Sequence, residues 1–426
     1  MIKRAFFGIL KPKLHYKQID EAPAQPTSVR ASQKITLYID DPDQNTEASV
    51  LKVGDPVKSG QKIALTAKAD SSYLLASRSG RISNIAPFVG IFGKKFTAVT
   101  IDVDADAAQI MDDVFRSASQ TPSLENARAM LAGLPGKPDF NVFLSGGHPV
   151  KTIAVLGADS DLLSITRQYF VKNNIISIKT GIDLLRKITG IHNVILIVPH
   201  HLAQVAGSSG AAVKTVDSEY PSAHPHLIRQ HILSSEAPIS GAGVAFFSAE
   251  AVSAIGAAFN TGKPPLEKLL SFISKDGTRR LVSVPIGTSA QDILNEFNEK
   301  IKDGDQLIVG GPLTGISVYA SDYPVLPDTD TLMVLSKKKI VEREESACVN
   351  CGECVRVCPS GIQVNLLVRC LEARKYQEAS DRYDLFSCIE CGFCSYVCES
   401  RIPVFQHIKL AKYTLERMKE AEENNV

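Results

Sequence analysis

The chain has 426 residues, 44% of them hydrophobic, with 47 Lys and Arg against 46 Asp and Glu and a formal net charge of +1. That length predicts about two to four domains with full hydrophobic cores, and so balanced a charge gives no basis for nucleic-acid binding. No apolar run approaches the roughly 18 to 20 residues that span a bilayer, so no transmembrane segment is expected, and Met1–Leu10 lacks the features of a signal peptide and reads as mature sequence.

After a polar lead with Pro12, Pro23 and Pro26, strands are expected from Lys34–Ile39. Leu51–Ala64 alternates strand and turn around Gly54-Asp55-Pro56 and Ser59-Gly60, and Leu74–Ile85 repeats the pattern around Ser79-Gly80-Arg81. Two such halves predict a barrel-sandwich hybrid over residues 1–103. The point between the halves carries Asp70-Ser71-Ser72 rather than an exposed lysine, so the barrel reads as a scaffold and not as a carrier domain.

Helices are expected at Ala105–Ser117 and Leu124–Ala132. Lys151–Leu156 then reads as a buried strand opening through Gly157-Ala158-Asp159 into a helix over Leu162–Asn173. Gly181–Thr189 follows as a helix and Val194–Val198 as a strand, with Val244–Phe247 and Ala249–Phe259 repeating the alternation. This order predicts a parallel α/β domain over residues 104–265. A phosphate-binding loop would need three glycines as G-x-G-x-x-G; Gly157 stands alone, Ser240-Gly241-Ala242-Gly243 is a fragment, and a turn capped by Asp159 or Ser160 is expected. The histidines between His192 and His231, including His200-His201 and His224-Pro225-His226, lack helical metal-binding spacing and read as loop or partner-facing residues. Asp217-Ser218-Glu219-Tyr220-Pro221 reads as a structural loop.

Residues 266–336 predict a β-grasp unit: strand Leu281–Pro285, a Gly287 turn, helix Ala290–Asn298, strand Gln306–Val309, Gly310-Gly311-Pro312 and strand Thr331–Leu335. A charged linker through Lys337-Lys338-Lys339 and Glu342–Glu345 leads into residues 337–426, with helices expected over Val364–Ala379 and His407–Glu423.

All nine cysteines lie in this last segment, eight of them in two C-x2-C-x2-C-x3-C runs, Cys348–Cys358 and Cys388–Cys398. Three thiolates on a tight loop reach an iron–sulfur cube from one side, and in two-cluster ferredoxins the fourth cysteine of each run ligates the other cluster. Two [4Fe–4S] clusters are therefore expected, one on Cys348, Cys351, Cys354 and Cys398, the other on Cys388, Cys391, Cys394 and Cys358. Gly352 and Gly392 stand where backbone must pass close to the inorganic core, a place suited to positive φ. Structural zinc fits the triplet-plus-one pattern poorly, and a disulfide framework belongs to short secreted chains, whereas this chain is long and shows no signal peptide. Cys370 reads as a small buried hydrophobe. Oxygen-sensitive thiolates suit a reducing cytoplasm.

The opening F-F-G-I-L-K-P, the V-G-D-P-V-K-S-G-Q-K-I turn, D-S-E-Y-P, V-P-I-G-T, G-G-P-L-T-G at Gly310–Gly315 and the closing C-S-Y-V-C-E-S-R-I-P together resemble the RnfC subunit of Rnf ferredoxin:NAD oxidoreductases. The middle also resembles the NqrA subunit of the sodium-pumping NADH:quinone reductase. The resemblance implies a multidomain α/β and α+β chain: barrel-sandwich hybrid, parallel α/β domain, β-grasp (SLBB-like) domain and α-helical two-[4Fe–4S] ferredoxin domain. It implies a non-catalytic electron relay, peripheral on the cytoplasmic face of the inner membrane, with other redox subunits of a membrane or heterodisulfide-reductase-like complex as partners. Relatives that oxidise NADH through FMN carry G-x-G-G-A-G-F-P and N-G-A-E-C-E-P-Y; this chain reads F-L-S-G-G-H-P-V-K-T-I-A-V-L-G-A-D over Phe143–Asp159, so FMN and NAD(H) binding is not expected. The competing readings are an NADH- and FMN-binding subunit with a divergent site and an adaptor whose clusters are structural.

Overall fold

The computed structural model describes residues 11–20, 25–30, 33–41, 50–66, 72–90, 93–104, 122–144, 149–234, 243–340 and 346–423. The stretch Phe6–Leu10, Asp70-Ser71, the helix expected over Ala105–Ser117, Gly146-Gly147-His148, Ser240-Gly241-Ala242 and the Glu342–Glu345 linker lie outside the described residues.

Lys34–Asp40 alternates buried and part-exposed residues, the period-two pattern of a strand with one face inward. It pairs antiparallel with Lys95–Val103, which pairs with Gly80–Val89, which in turn pairs with Pro56–Val57. Lys62–Ala64 and Tyr73–Leu75 form a second, two-stranded sheet. Ile35, Leu37, Ile63, Leu74, Ile82, Val99 and Ile101 fill the space enclosed, and this is the barrel-sandwich hybrid.

The middle of the chain holds a four-stranded parallel sheet in the order Ala212–Val216, Val194–Pro199, Val150–Leu156, Gly243–Ser248. The two central strands are nearly continuous apolar runs, as strands covered on both faces must be. Helix Ile175–Thr189 packs with helix Ala249–Thr261 against the sheet. Helix bounds differ from expectation: the helix expected from Leu162 begins at Thr166, and the one expected from Gly181 begins already at Ile175. Strand Ala212–Val216 was not expected, because Lys214 and Thr215 break its apolar pattern.

A six-stranded mixed sheet follows, in the order Thr27–Ser28, Arg279–Pro285, Glu267–Ile273, Thr331–Leu335, Gln306–Val309, Ile316–Val318. Helix Ala290–Glu296 covers it through Ala290, Ile293 and Leu294. The edge pair Thr27–Ser28 comes from the N-terminal lead. The same lead is stitched to the parallel-sheet unit, where Tyr16 N–H donates to Ser218 O at 2.9 Å and Lys17 N–H to Leu162 O at 2.8 Å.

The cysteine-bearing end is helical: Glu353–Val357, Val364–Glu372, Tyr376–Tyr383, Phe393–Tyr396 and Val404–Glu423. The single helix expected over Val364–Ala379 is two, broken where Arg374 takes φ 57°, and the last helix starts at Val404 rather than His407. Ile362, Leu367, Val368, Leu371, Ile408 and Leu415 form its core.

Candidate metal centres

The cysteine run Cys348–Cys358 recurs 40 residues further on as Cys388–Cys398, and the two loops share one backbone. Asn350 and Glu390 take φ of 55° and 56°, and Gly352 and Gly392 follow at 77° and 76°. A left-handed residue on each side of the second cysteine curls the chain around its own thiols, and glycine adopts that region without strain.

Cys348, Cys351, Cys354 and Cys398 line one cavity, backed by Val368, Ile402 and Val404. Cys358, Cys388, Cys391 and Cys394 line the other, backed by Ile362, Leu367 and Ile408. Each cavity thus takes three thiols from one loop and the fourth from the other. The two cavities are near-equal in size, as two sites for groups of one kind would be.

Among the described residues no three Cys, His, Asp or Glu side chains meet closely enough to hold a single metal ion; the thiols border a space instead of converging on a point. Burial, helped by the neighbouring Cys351, pushes Cys354 up to about 11. Burial likewise pushes Cys391 up to about 12 and Cys394 well above the ordinary thiol value. Thiols buried in this way resist ionisation unless a cation joins them. A [4Fe–4S] group supplies that positive charge and takes four thiolates, so the donor set fits it. Backbone amides also point at sulfur: Glu390 N–H donates to Cys388 Sγ and Ile402 N–H to Cys398 Sγ, each at 3.3 Å.

The surroundings of the two loops differ sharply. The second is clamped by the rest of the chain. Tyr220 Oη donates to Cys391 O at 2.7 Å, and the Tyr220 ring meets Phe393 edge-on at 5.4 Å. The carbonyl of Leu313 lies so near Gly392 that a Cβ there would sit 2.4 Å from its oxygen. Leu313 belongs to the G-G-P-L-T-G turn, itself held by Asp161, whose Oδ2 accepts from Thr314 N at 3.0 Å and Thr314 Oγ1 at 2.6 Å. From the last helix, Lys412 Nζ donates to Cys388 O at 2.7 Å and to Glu390 Oε1 at 2.9 Å. The first loop is open. Gly352 has nothing within 4 Å of a would-be Cβ, Cys351 is exposed and Val349 is 68% exposed. Asn350 Oδ1 accepts from Asn365 Nδ2 at 2.8 Å.

The remaining sequence candidates fall elsewhere. Cys370 is half-buried on helix Val364–Glu372 and borders neither cavity. His200 Nε2 lies 3.5 Å from Asp217 Oδ1 at the surface, and His224 Nδ1 accepts from His226 N–H at 3.2 Å. Asp159 Oδ1 accepts from Arg167 N–H at 2.9 Å and Ser164 Oγ at 3.0 Å, while Oδ2 accepts from Gln168 Nε2 at 2.8 Å. It caps helix Thr166–Asn173 from across the turn, and burial raises its carboxyl. Arg167 Nη2 pairs with Asp330 at 3.3 Å, and Lys151 is exposed. Sequence reasoning missed Tyr220, Leu313, Glu390 and Lys412 as residues of the site. Aligning the two runs over their 40-residue offset would have flagged Glu390 against Asn350; Tyr220 gave no local signal beyond its D-S-E-Y-P setting.

Two family descriptions match the chain: an RnfC barrel sandwich hybrid domain over residues 11–106 and a 4Fe-4S dicluster domain over residues 340–399. The chain is 24% identical over 384 residues to the RnfC subunit of the proton-translocating ferredoxin:NAD(+) oxidoreductase complex of Clostridium ljungdahlii, covering 85% of this chain and 84% of that one. It is 23% identical over 338 residues to the RnfC subunit of an ion-translocating oxidoreductase complex of Rhodobacter capsulatus, covering 74% of this chain and 65% of that one. With the corresponding subunit of Serratia proteamaculans it shares 25% identity over 391 residues, which are 85% of this chain but 54% of that one.

Proposed function

We propose that this homologue of the RnfC subunit of ion-translocating oxidoreductase complexes is an electron-transfer subunit of an Rnf-type complex, carrying single electrons through two [4Fe–4S] clusters between redox centres of partner subunits. The observation that carries the reading is the pair of four-cysteine cavities, each completed by a thiol from the opposite loop. When bound, each cluster supplies a one-electron couple whose potential answers to charge, hydrogen bonding and exposure.

The chain's own residues divide the work. Cys348, Cys351, Cys354 and Cys398 would hold one cluster at the open loop, and Cys388, Cys391, Cys394 and Cys358 the other at the clamped loop. Tyr220, Phe393 and Leu313 keep the clamped loop against the body of the chain, which excludes water from that side. Exposed Cys351 and Val349 leave the first loop accessible to a partner.

We read the chain as four units, residues 1–103, 104–265, 266–336 and 337–426. The strand order around helix Ala290–Glu296 supports a β-grasp for the third. Among the described residues no helix is long and apolar enough to cross a membrane, and attachment to the cytoplasmic face would run through partner subunits. FMN and NAD(H) stand outside the proposal.

Iron and acid-labile sulfide on anaerobically purified protein test the reading. About eight of each per chain, four per cluster, with one-electron reduction by dithionite, is the expected result. Stoichiometric zinc in place of iron would overturn it.

A further inference from the structure

The two loops match in backbone and differ in charge, and the difference gathers around Glu390 and Lys412. In the first half of the repeat, Asn350 occupies the left-handed position and is held by neutral Asn365; exposed Glu372 stands 40 residues before Lys412. In the second half, Glu390 occupies that position and meets two ammonium groups, Lys412 at 2.9 Å and Lys409 at 3.8 Å. Lys412 is the closer and the better shielded, its side chain 13% exposed, and it also grips the carbonyl of Cys388 at 2.7 Å. The loop with the buried cysteines therefore carries two cations against one carboxylate. On the first loop Arg356 pairs with Glu353, an ion pair that is neutral overall.

A one-electron reduction adds a negative charge to a cluster and makes or breaks no bond. Burial disfavours that added charge, so the clamped loop by itself would hold the harder cluster to reduce. A shielded ammonium bound to a ligand's own carbonyl works in the opposite sense, and its effect is greatest where water is excluded.

Resting on the proposed function, we infer that Lys412 is a positioning residue for the second cluster, whose ammonium raises that cluster's reduction potential and so offsets the cost of its burial. Glu390 orients Lys412 and tempers its charge.

Anaerobic redox titration followed by electron paramagnetic resonance tests this on the full chain, with iron analysis alongside. In Lys412→Gln one of the two couples should move to lower potential by roughly a tenfold change in its reduced-to-oxidised ratio, 59 mV for one electron, while the other stays in place. Lys412→Arg should restore it. Glu390→Gln, which removes the opposing charge and keeps an amide oxygen to accept from Lys412, should move the same couple upward, and it decides the matter should Lys412→Gln fail to retain iron. Full iron content with both couples unmoved in Lys412→Gln and Glu390→Gln overturns the inference. Absence of iron–sulfur clusters from the wild-type chain would instead overturn the proposed function, so the two failures are distinguishable.

Discussion

The hydroxyl of Tyr220 donates a 2.7 Å hydrogen bond to the carbonyl oxygen of Cys391, 171 residues along the chain. Tyr220 is 4% exposed, and burial holds its hydroxyl protonated far above the ordinary tyrosine range, so it stays a donor. The bond joins the parallel-sheet unit to the backbone of a proposed ligand. Tyr16 extends the aromatic contact inward, its ring 5.4 Å from that of Tyr220.

Tyr220→Phe keeps the ring and removes the donor, leaving the carbonyl of Cys391 without it. A loss of about 1 to 3 kcal/mol in chemical denaturation is expected, with faster release of iron from one cluster under chelator challenge. Tyr220→Ala, which also opens a cavity, should cost about 3 to 5 kcal/mol. Unchanged stability and iron release in Tyr220→Phe would show that the clamp does not depend on this bond.

The crossed ligand sets can be tested without assigning any spectrum in advance. Cys358→Ala and Cys394→Ala strip the same cavity and should leave the same residual cluster signal. Cys398→Ala should match Cys351→Ala. An uncrossed arrangement would pair Cys358→Ala with Cys351→Ala instead. Cys370→Ala should retain the full iron content of the wild type.

Lys268 spends all three of its protons inside the protein, on Glu250, on Leu269 O at 3.0 Å and on Asp330 Oδ1 at 3.0 Å. Burial outweighs the attraction of Lys268 and pushes the Glu250 carboxyl from 4.5 up to about 7. Lys268→Met leaves the buried carboxyl of Glu250 without its cation, a loss of about 3 to 5 kcal/mol. The sign with pH follows from linkage: a carboxyl raised by folding contributes stability that is present below its unfolded value and lost as pH rises through its folded value. Removing Lys268 raises Glu250 further, so the deficit of the variant should be smallest near pH 5 and grow through pH 7, and Lys268→Met with Glu250→Gln should recover part of it. A deficit independent of pH would mean that lost packing, not charge, is what Lys268 supplies.

The same lysine shows where sequence reading stops. The two four-cysteine sets are legible because C-x2-C-x2-C-x3-C is a local pattern whose donor chemistry resides in the spacing itself. The barrel is legible for a similar reason, since Gly54-Asp55-Pro56 and Ser79-Gly80-Arg81 mark turns between alternating strands. Strand Glu267–Ile273 was not legible: it opens on Glu267 and Lys268, and only long-range partners such as Glu250 and Asp330 make a lysine there compatible with 0% exposure. Tyr220 and Leu313 belong to the same class. Each lies in an ordinary loop and acquires its role from a backbone group far along the chain. The helix break at Arg374 was hidden because the residues around it keep an apolar period that either one helix or two would satisfy.

The last expectation is that cluster-replete protein neither binds FMN tightly nor oxidises NADH. Flavin and nicotinamide cofactors present phosphates, which favour free amides at a helix N-terminus approached through glycine. Helix Thr166–Asn173 is the one that follows strand Val150–Leu156, and its start is already filled by Asp159, which accepts from the amide of Arg167 and from Ser164 and Gln168. A phosphate there would meet a carboxylate instead of open donors. Gly157 is also committed: its N–H donates to Ile197 O at 2.8 Å, and a Cβ on it would press within 2.6 Å of Val171, so the glycine serves strand-to-helix packing. Arg167, the cation best placed to neutralise a phosphate, is paired with Asp330 at 3.3 Å. Calorimetric titration with FMN and with NADH, together with an NADH-dependent dye-reduction assay, should show no micromolar binding and no turnover. Tight binding of both with turnover would make the chain a dehydrogenase subunit with its flavin site built away from this helix, and would replace the simple relay.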